Sequence, residues 1–251
     1  MIKTKQKFNH LIIYMLLFTF SPELYSEELY KKIIYTTFIS HEMNKWQNVI
    51  QLIETKYTPV TVEKKIELLN YYYGFTGYLI REKRFAEVET YIRKSEVLID
   101  QILKTTNQNA TVYSFKAAFF GFQTSINKIK GIYLINESFY YLDKAYKLDP
   151  NNVQVNIDKG NILFHAPAIF GGDKKEALKF YLKGARLMEL NNITDQNWAY
   201  LNVLTMVAVT YEKINQPLMA RQTYERILRK EPNFYWVKRD LYPKFLEKNK
   251  L

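Results

Sequence analysis

The sequence predicts an all-α fold, a solenoid of antiparallel helix hairpins ended by a C-terminal capping helix. Three observations predict it. Glycine and proline are scarce, 8 and 7 of 251 residues, fewer than most β-sandwiches and α/β enzymes use in their turns. Apolar residues recur at helical spacing through most of residues 27–251. Small, aromatic and proline residues then repeat at similar offsets along the chain. Stacked hairpins need such a repeat, because two helices alone bury little surface.

Residues 1–26 read as a secretory signal peptide. Lys3, Lys5 and Lys7 precede the uncharged apolar run Leu11–Phe20, and Ser21, Pro22 and Glu23 end it. A spanning helix needs roughly 20 apolar residues, so no stable membrane span is expected. Cleavage is expected after Ser26, leaving residues 27–251 as one helical repeat domain, periplasmic or secreted. Without cysteine, a lipid anchor on that residue type is ruled out.

The units follow in order. The first, about 28–59, is degenerate and holds Trp46, Val49, Ile53 and Pro59. The second, 69–98, carries Tyr72, Phe75, Thr76 and Leu79, a turn at Arg84–Glu87, then Val88, Ile92 and Ser95. The third, 111–150, ends in Ser138, Leu142, Ala145 and Pro150. Its first helix is expected over about 111–130, with Ile126 where a small residue is usual. The fourth, 153–188, has Gly160 and Leu163, then Ala177, Tyr181 and Gly184. The fifth, 201–234, is the clearest: Leu204, Val207, Ala208, Tyr211, Ala220, Tyr224, Ile227 and Pro232. Ala208 and Ala220 let its helices approach, Tyr211 and Tyr224 fill the space between them, and Pro232 stops the second helix. Residues 235–250 are amphipathic and lysine-rich, which suits a cap.

These offsets resemble the tetratricopeptide repeat (TPR), most strongly in 201–234 and 138–152. The resemblance implies a stack of hairpins whose first helices line a concave face, and a protein or peptide partner. The string GDKKEALKFYLKGARL, with the preceding Pro167 and Gly171-Gly172, is also similar to exported TPR proteins related to the T-component of periplasmic TRAP transport systems. That likeness implies, by analogy, a transport accessory with a small organic ligand and an oligomeric, trimeric assembly.

Gly160 and Ala177 stand 17 residues apart, against 12 between Ala208 and Ala220. Five extra residues therefore fall in the turn His165–Asp173. Pro167 should end the first helix at about His165. Ala168, Ile169 and Phe170 should pack back onto the solenoid or a partner. Gly171-Gly172 should take positive φ, and Asp173 should cap the next helix.

Little in the sequence carries chemistry. Without cysteine, disulfides, thiolate metal sites and cysteine nucleophiles are excluded. The histidines are His10, His41 and His165, and none has a clustered carboxylate partner, so no metal site, cofactor or enzyme activity is expected. Gly171-Gly172 has no preceding strand, as a phosphate loop would require. The net charge of +11 is spread along helices and interleaved with glutamate, which reads as a solvated surface, not a nucleic-acid site.

The informative surface is the inner one. Its second, fifth, ninth and twelfth positions in each unit share one helix face. They are Asn70, Tyr73, Gly77 and Ile80; Phe120, Gln123, Asn127 and Lys130; Gln154, Ile157, Asn161 and Phe164; and Asn202, Thr205, Val209 and Glu212. An asparagine recurs in every set, and its amide can both donate to and accept from a peptide backbone. Tyr73, Phe120 and Phe164 would add apolar contacts. The expected function is a non-enzymatic scaffold holding a protein or peptide in this groove, with a small organic ligand inside the superhelix as the alternative.

Overall fold

A computed structural model describes residues 22–56 and 59–250, and its regular structure there is helical throughout. Residues 1–21, with the apolar run of the expected export signal, lie outside the described residues. Five hairpins follow one another: α1 (Pro22–Ser40) with α2 (Met43–Lys56), α3 (Val62–Arg81) with α4 (Phe85–Thr106), α5 (Ala110–Ile126) with α6 (Gly131–Leu148), α7 (Val153–His165) with α8 (Lys174–Leu190), and α9 (Trp198–Lys213) with α10 (Pro217–Lys230). A π-helical turn, Val237–Leu241, leads into the last helix, α11 (Tyr242–Asn249).

Local chemistry sets the helix ends. Thr61, Asn109, Asn152 and Asn197 each accept a backbone N–H from the first turn of α3, α5, α7 and α9. Asn109, Asn152 and Asn197 therefore serve as caps. Three of the hairpin turns close in the same way. His41, Lys83 and Asn215 adopt φ of 66°, 57° and 60°. The next N–H reaches back five residues, as in Arg84 to the Leu79 carbonyl at 2.9 Å and Gln216 to that of Tyr211 at 2.9 Å. This is the Schellman closure, made here without glycine.

Packing depends on small residues. In α3, α5, α7 and α9 a small side chain lies five residues before the helix end: Thr76, Gly121, Gly160 and Ala208. A Cβ on Gly160 would stand 2.5 Å from the Tyr181 ring, so α8 seats an aromatic side chain directly against the α7 backbone. At Gly121 the neighbour is the Ser138 hydroxyl, which donates to the Ala117 carbonyl at 2.7 Å. This corrects the register expected for the third unit. Its small residue is Gly121, not Ile126, and α5 ends at Ile126 instead of about 130.

The two ends of the solenoid meet. Tyr35 in α1 donates to the Glu231 carboxylate at 2.7 Å, across 196 residues of sequence. The Phe38 ring lies 5.8 Å from Trp198 and 5.1 Å from Phe234. Trp46 in α2 meets Trp198 edge-on at 5.1 Å. Between these ends α3, α5 and α7 pack side by side, and the concave groove becomes a cavity.

The turn after α7 matches only part of its expectation. α7 ends at His165, Gly171 takes φ 87°, and the Asp173 carboxylate accepts from the Lys175 and Glu176 amides. Gly172 stays outside the positive-φ region; what it needs is space, since a Cβ there would lie 1.9 Å from the Ala166 carbonyl oxygen. Ile169 does not pack back: it is 85% exposed. The 3-10 turn Ala168–Phe170 holds Ile169 outward, and only Phe170 is half-buried.

Candidate functional site

The cavity has a volume of about 550 Å³. Its side wall is built by Tyr73, Gly77 and Ile80 of α3, Ala118, Phe122 and Ser125 of α5, and Asn161 of α7. In each helix these are the inner-face positions once α5 is placed by Gly121. Trp198, Asn202 and Met206 of α9 face them. Phe38, His41 and Met43 close one side, and Phe234 and Trp236 another. The lining is mainly aromatic and aliphatic, with Arg81 at its margin, its guanidinium 5.1 Å from the Trp236 ring centre.

A buried acid underlies the wall. Asp158 is fully buried and accepts from Tyr73 at 2.8 Å, Ser114 at 2.6 Å and Gln154 at 2.9 Å. The Asn161 amide donates to the Tyr73 oxygen at 2.7 Å and its carbonyl accepts from Tyr181 at 2.8 Å. Burial pushes the Asp158 carboxyl up to about 6, against the pull of these donors. Tyr73 and Tyr181 are raised as well, by burial first and by Asp158 second. A carboxyl in this range suits proton transfer, but both of its oxygens already face protein donors. The network ties α3, α5, α7 and α8 together.

The residues expected on the inner face divide into three sets. Tyr73, Gly77, Ile80, Asn161 and Asn202 line the cavity. Asn161 is already bonded on both sides of its amide, so it offers a ladder little. Phe120, Gln123, Asn127 and Lys130 lie instead in a separate outer cleft with Phe85, Glu96 and Tyr133, because the register of α5 differs by five residues. There Gln123 donates to Glu96 at 2.8 Å, and Asn127 ends α5 and accepts the Lys130 amide. Asn70, Phe164 and Glu212 line neither space. Phe164 packs on His165 and Tyr181, and Glu212 accepts the Tyr224 hydroxyl. The asparagine column expected for a peptide backbone does not form. Asp158, Trp198 and Trp236 were missed by sequence reasoning. Asp158 had a signal, since it stands four residues after Gln154 and three before Asn161 on one helix face.

A crystal structure of a thermophilic TPR protein from Thermus thermophilus superposes on 89% of this chain and 100% of its own, with a TM-score of 0.53 at 12% identity. The fold is TPR-type. No family model matches the sequence, and a search of curated proteins finds no relative. The TPR likeness is one of fold alone. Among the described residues no group of three or more His, Asp or Glu could hold a metal, and no helix is long and apolar enough to cross a membrane.

Proposed function

We propose that the protein is a non-enzymatic binding scaffold and that its ligand occupies the concave cavity. One observation carries this reading. The TPR-type groove is closed at its ends by Phe38, Phe234 and Trp236 into a formed, largely apolar space of about 550 Å³. Pockets for small organic molecules span roughly 300–1,000 Å³ and share this lining of apolar walls with a few polar groups. An extended peptide needs free polar partners for its backbone along the groove, and the Asn161 amide is already engaged by Tyr73 and Tyr181. The favoured ligand is therefore a compact organic molecule with an apolar body. A partner protein inserting a few apolar side chains into the same apolar lining is the second reading, supported by the TPR-type fold. Export belongs to the same proposal and rests on Lys3, Lys5, Lys7 and Leu11–Phe20. Protein made in a bacterial host should begin near Glu27.

Gly77 supplies the test. A Cβ there meets nothing within 4 Å, so the backbone accepts a side chain at this position, and Gly77→Leu projects into the cavity and improves helix propensity by about 1 kcal/mol. The variant should stay folded and lose at least about ten-fold in affinity for an apolar fluorescent probe, one buried methylene being worth about 0.8 kcal/mol. Quenching of Trp198 and Trp236 by the probe should fall in parallel. Unchanged probe affinity in a folded variant would place the ligand elsewhere. Mass spectrometry of an organic extract of the purified protein separates the small molecule from the protein partner.

A further inference from the structure

A second surface lies outside the cavity. Because α3, α5 and α7 are successive inner helices packed side by side, the turns that follow them fall on one edge. Phe85, Lys130 and Tyr133 share one cleft, Arg81, Ser125 and Pro167 border one cavity, and Gly171 approaches the Phe139 ring. The three turns are therefore neighbours.

This edge is basic. It presents Arg81, Lys83 and Arg84, then Lys128 and Lys130, then Lys174 and Lys175. Its acids are engaged: Glu82 pairs with Arg81, Glu87 pairs with Arg84, and Asp173 caps α8. Among the described residues, Lys83, Lys128, Lys130, Lys174 and Lys175 are all exposed and none is in an ion pair. The turns 107–109 and 149–152 on the opposite edge hold a single charge, Asp149.

The same edge carries apolar tips. Ile129 is 99% exposed between Lys128 and Lys130, and Ile169 is 85% exposed on the next turn. Ile132, Tyr133 and Phe85 are exposed beside them. One exposed isoleucine needs no explanation. Two on adjacent turns, each beside unpaired lysines, do. A protein interface gathers apolar side chains into a continuous core and is depleted in lysine. Apolar tips set among lysines match a lipid interface instead, where ammonium groups meet phosphates and the tips enter the headgroup–acyl boundary.

We propose that this edge docks on an anionic lipid surface, with the lysines on headgroup phosphates and Ile129 and Ile169 inserted between them. The surface is distinct from the cavity, and it stands whether or not the cavity binds an organic ligand. Docking holds the end of the cavity lined by Arg81 and Pro167 toward the bilayer.

The chain has no cysteine, so single labelling sites are clean. The full chain carrying an environment-sensitive fluorophore on Ile129→Cys or Ile169→Cys is mixed with phosphatidylcholine vesicles, with and without phosphatidylglycerol. Both labels should shift to the blue on the anionic vesicles only, and salt should reverse the shift. A label on Asn151→Cys, on the opposite edge, should not move. Lys128→Glu with Lys130→Glu and Lys175→Glu should weaken vesicle binding at least five-fold for each lysine, about a hundred-fold together. Ile129→Ser with Ile169→Ser should cost about ten-fold with folding unchanged. Equal shifts at positions 129 and 151 overturn the proposal, and so does vesicle binding with no shift at 129 or 169, as anchoring through residues 11–20 alone would give. So does equal binding to neutral vesicles, full binding by the Ile129→Ser, Ile169→Ser variant, or the same blue shift on an acidic polypeptide.

Discussion

Hairpins α9–α10 and α7–α8 solve one packing problem with different lengths of chain. In the first, Ala208 and Ala220 stand 12 residues apart, both fully buried, and a Schellman turn at Asn215 joins the helices. In the second, Gly160 and Ala177 stand 17 apart, and the extra five residues form the loop ending at Asp173. Hairpin α5–α6 belongs with the second type. Gly121 and Ser138 are also 17 apart, and the surplus lengthens the start of α6 and forms the turn at 127–130. The facing small residues are fixed by helix contact, while the chain between them is free. Both longer connections carry their apolar side chains outward, at Ile129 and Ile169.

The comparison breaks first at Tyr181, whose fully buried ring fills the hollow over Gly160. Tyr181→Ala should cost about 3–5 kcal/mol in urea denaturation, and it also strips the Asn161 carbonyl of its donor. Tyr181→Phe keeps the ring and should cost only about 0.5–1.5 kcal/mol. A small loss for the alanine variant would mean that α8 does not seat on α7 as described.

The next effect is one of pH. The Asp158 carboxyl is raised from 3.8 to about 6 in the folded chain, so between those values the folded state binds more protons than the unfolded state. Stability from this group is complete below about pH 4, declines as pH rises to about 6 and is flat beyond, a loss of at most about 3 kcal/mol. Asp158→Asn should flatten that decline. A profile that rises with pH over the same window in the wild type but not in Asp158→Asn would reverse the assignment.

Smaller effects sharpen the two glycines. Gly160→Ala forces the Tyr181 ring aside, at about 1–3 kcal/mol for overpacking less about 1 kcal/mol of helix propensity. Gly121→Ala places its Cβ at 3.7 Å from the Ser138 hydroxyl, an ordinary contact, and should stabilise by up to about 1 kcal/mol. Opposite signs at equivalent positions are the expected result of thermal melts.

The same contrast explains what was legible in the sequence. Hairpin α9–α10 could be read because Ala208, Tyr211, Ala220, Tyr224 and Pro232 all sit at local offsets. The register of α5 could not, because Gly121 was passed over for Ile126, which preserved a 12-residue spacing that this hairpin does not use. The cavity was hidden for another reason. Its closure depends on Tyr35 meeting Glu231 and Phe38 meeting Phe234, contacts set by how far the superhelix turns and not by any local pattern. Asp158 was passed over because two of its partners, Tyr73 and Ser114, come from other helices, while Gln154 lies on its own.

The smallest effect concerns the longer connection itself. An apolar side chain gains stability in proportion to the surface it removes from water, roughly 25 cal/mol per Å². Ile169 was expected to pack onto the solenoid or onto a partner, and within the chain it removes very little. The shape of the loop is held instead by its backbone: the Gly172 amide donates to the Pro167 carbonyl at 3.1 Å, and the Asp173 amide to that of Leu163 at 2.9 Å. Phe170 supplies the one partly buried ring. Ile169→Ser should therefore change stability by less than about 0.5 kcal/mol, whereas a plug between hairpins would lose on the order of 2 kcal/mol. A melt of the variant decides between them. If stability is kept, the isoleucine is retained for something other than packing. If it falls by the larger amount, the side chain folds inward in solution and the outward orientation of this turn is wrong.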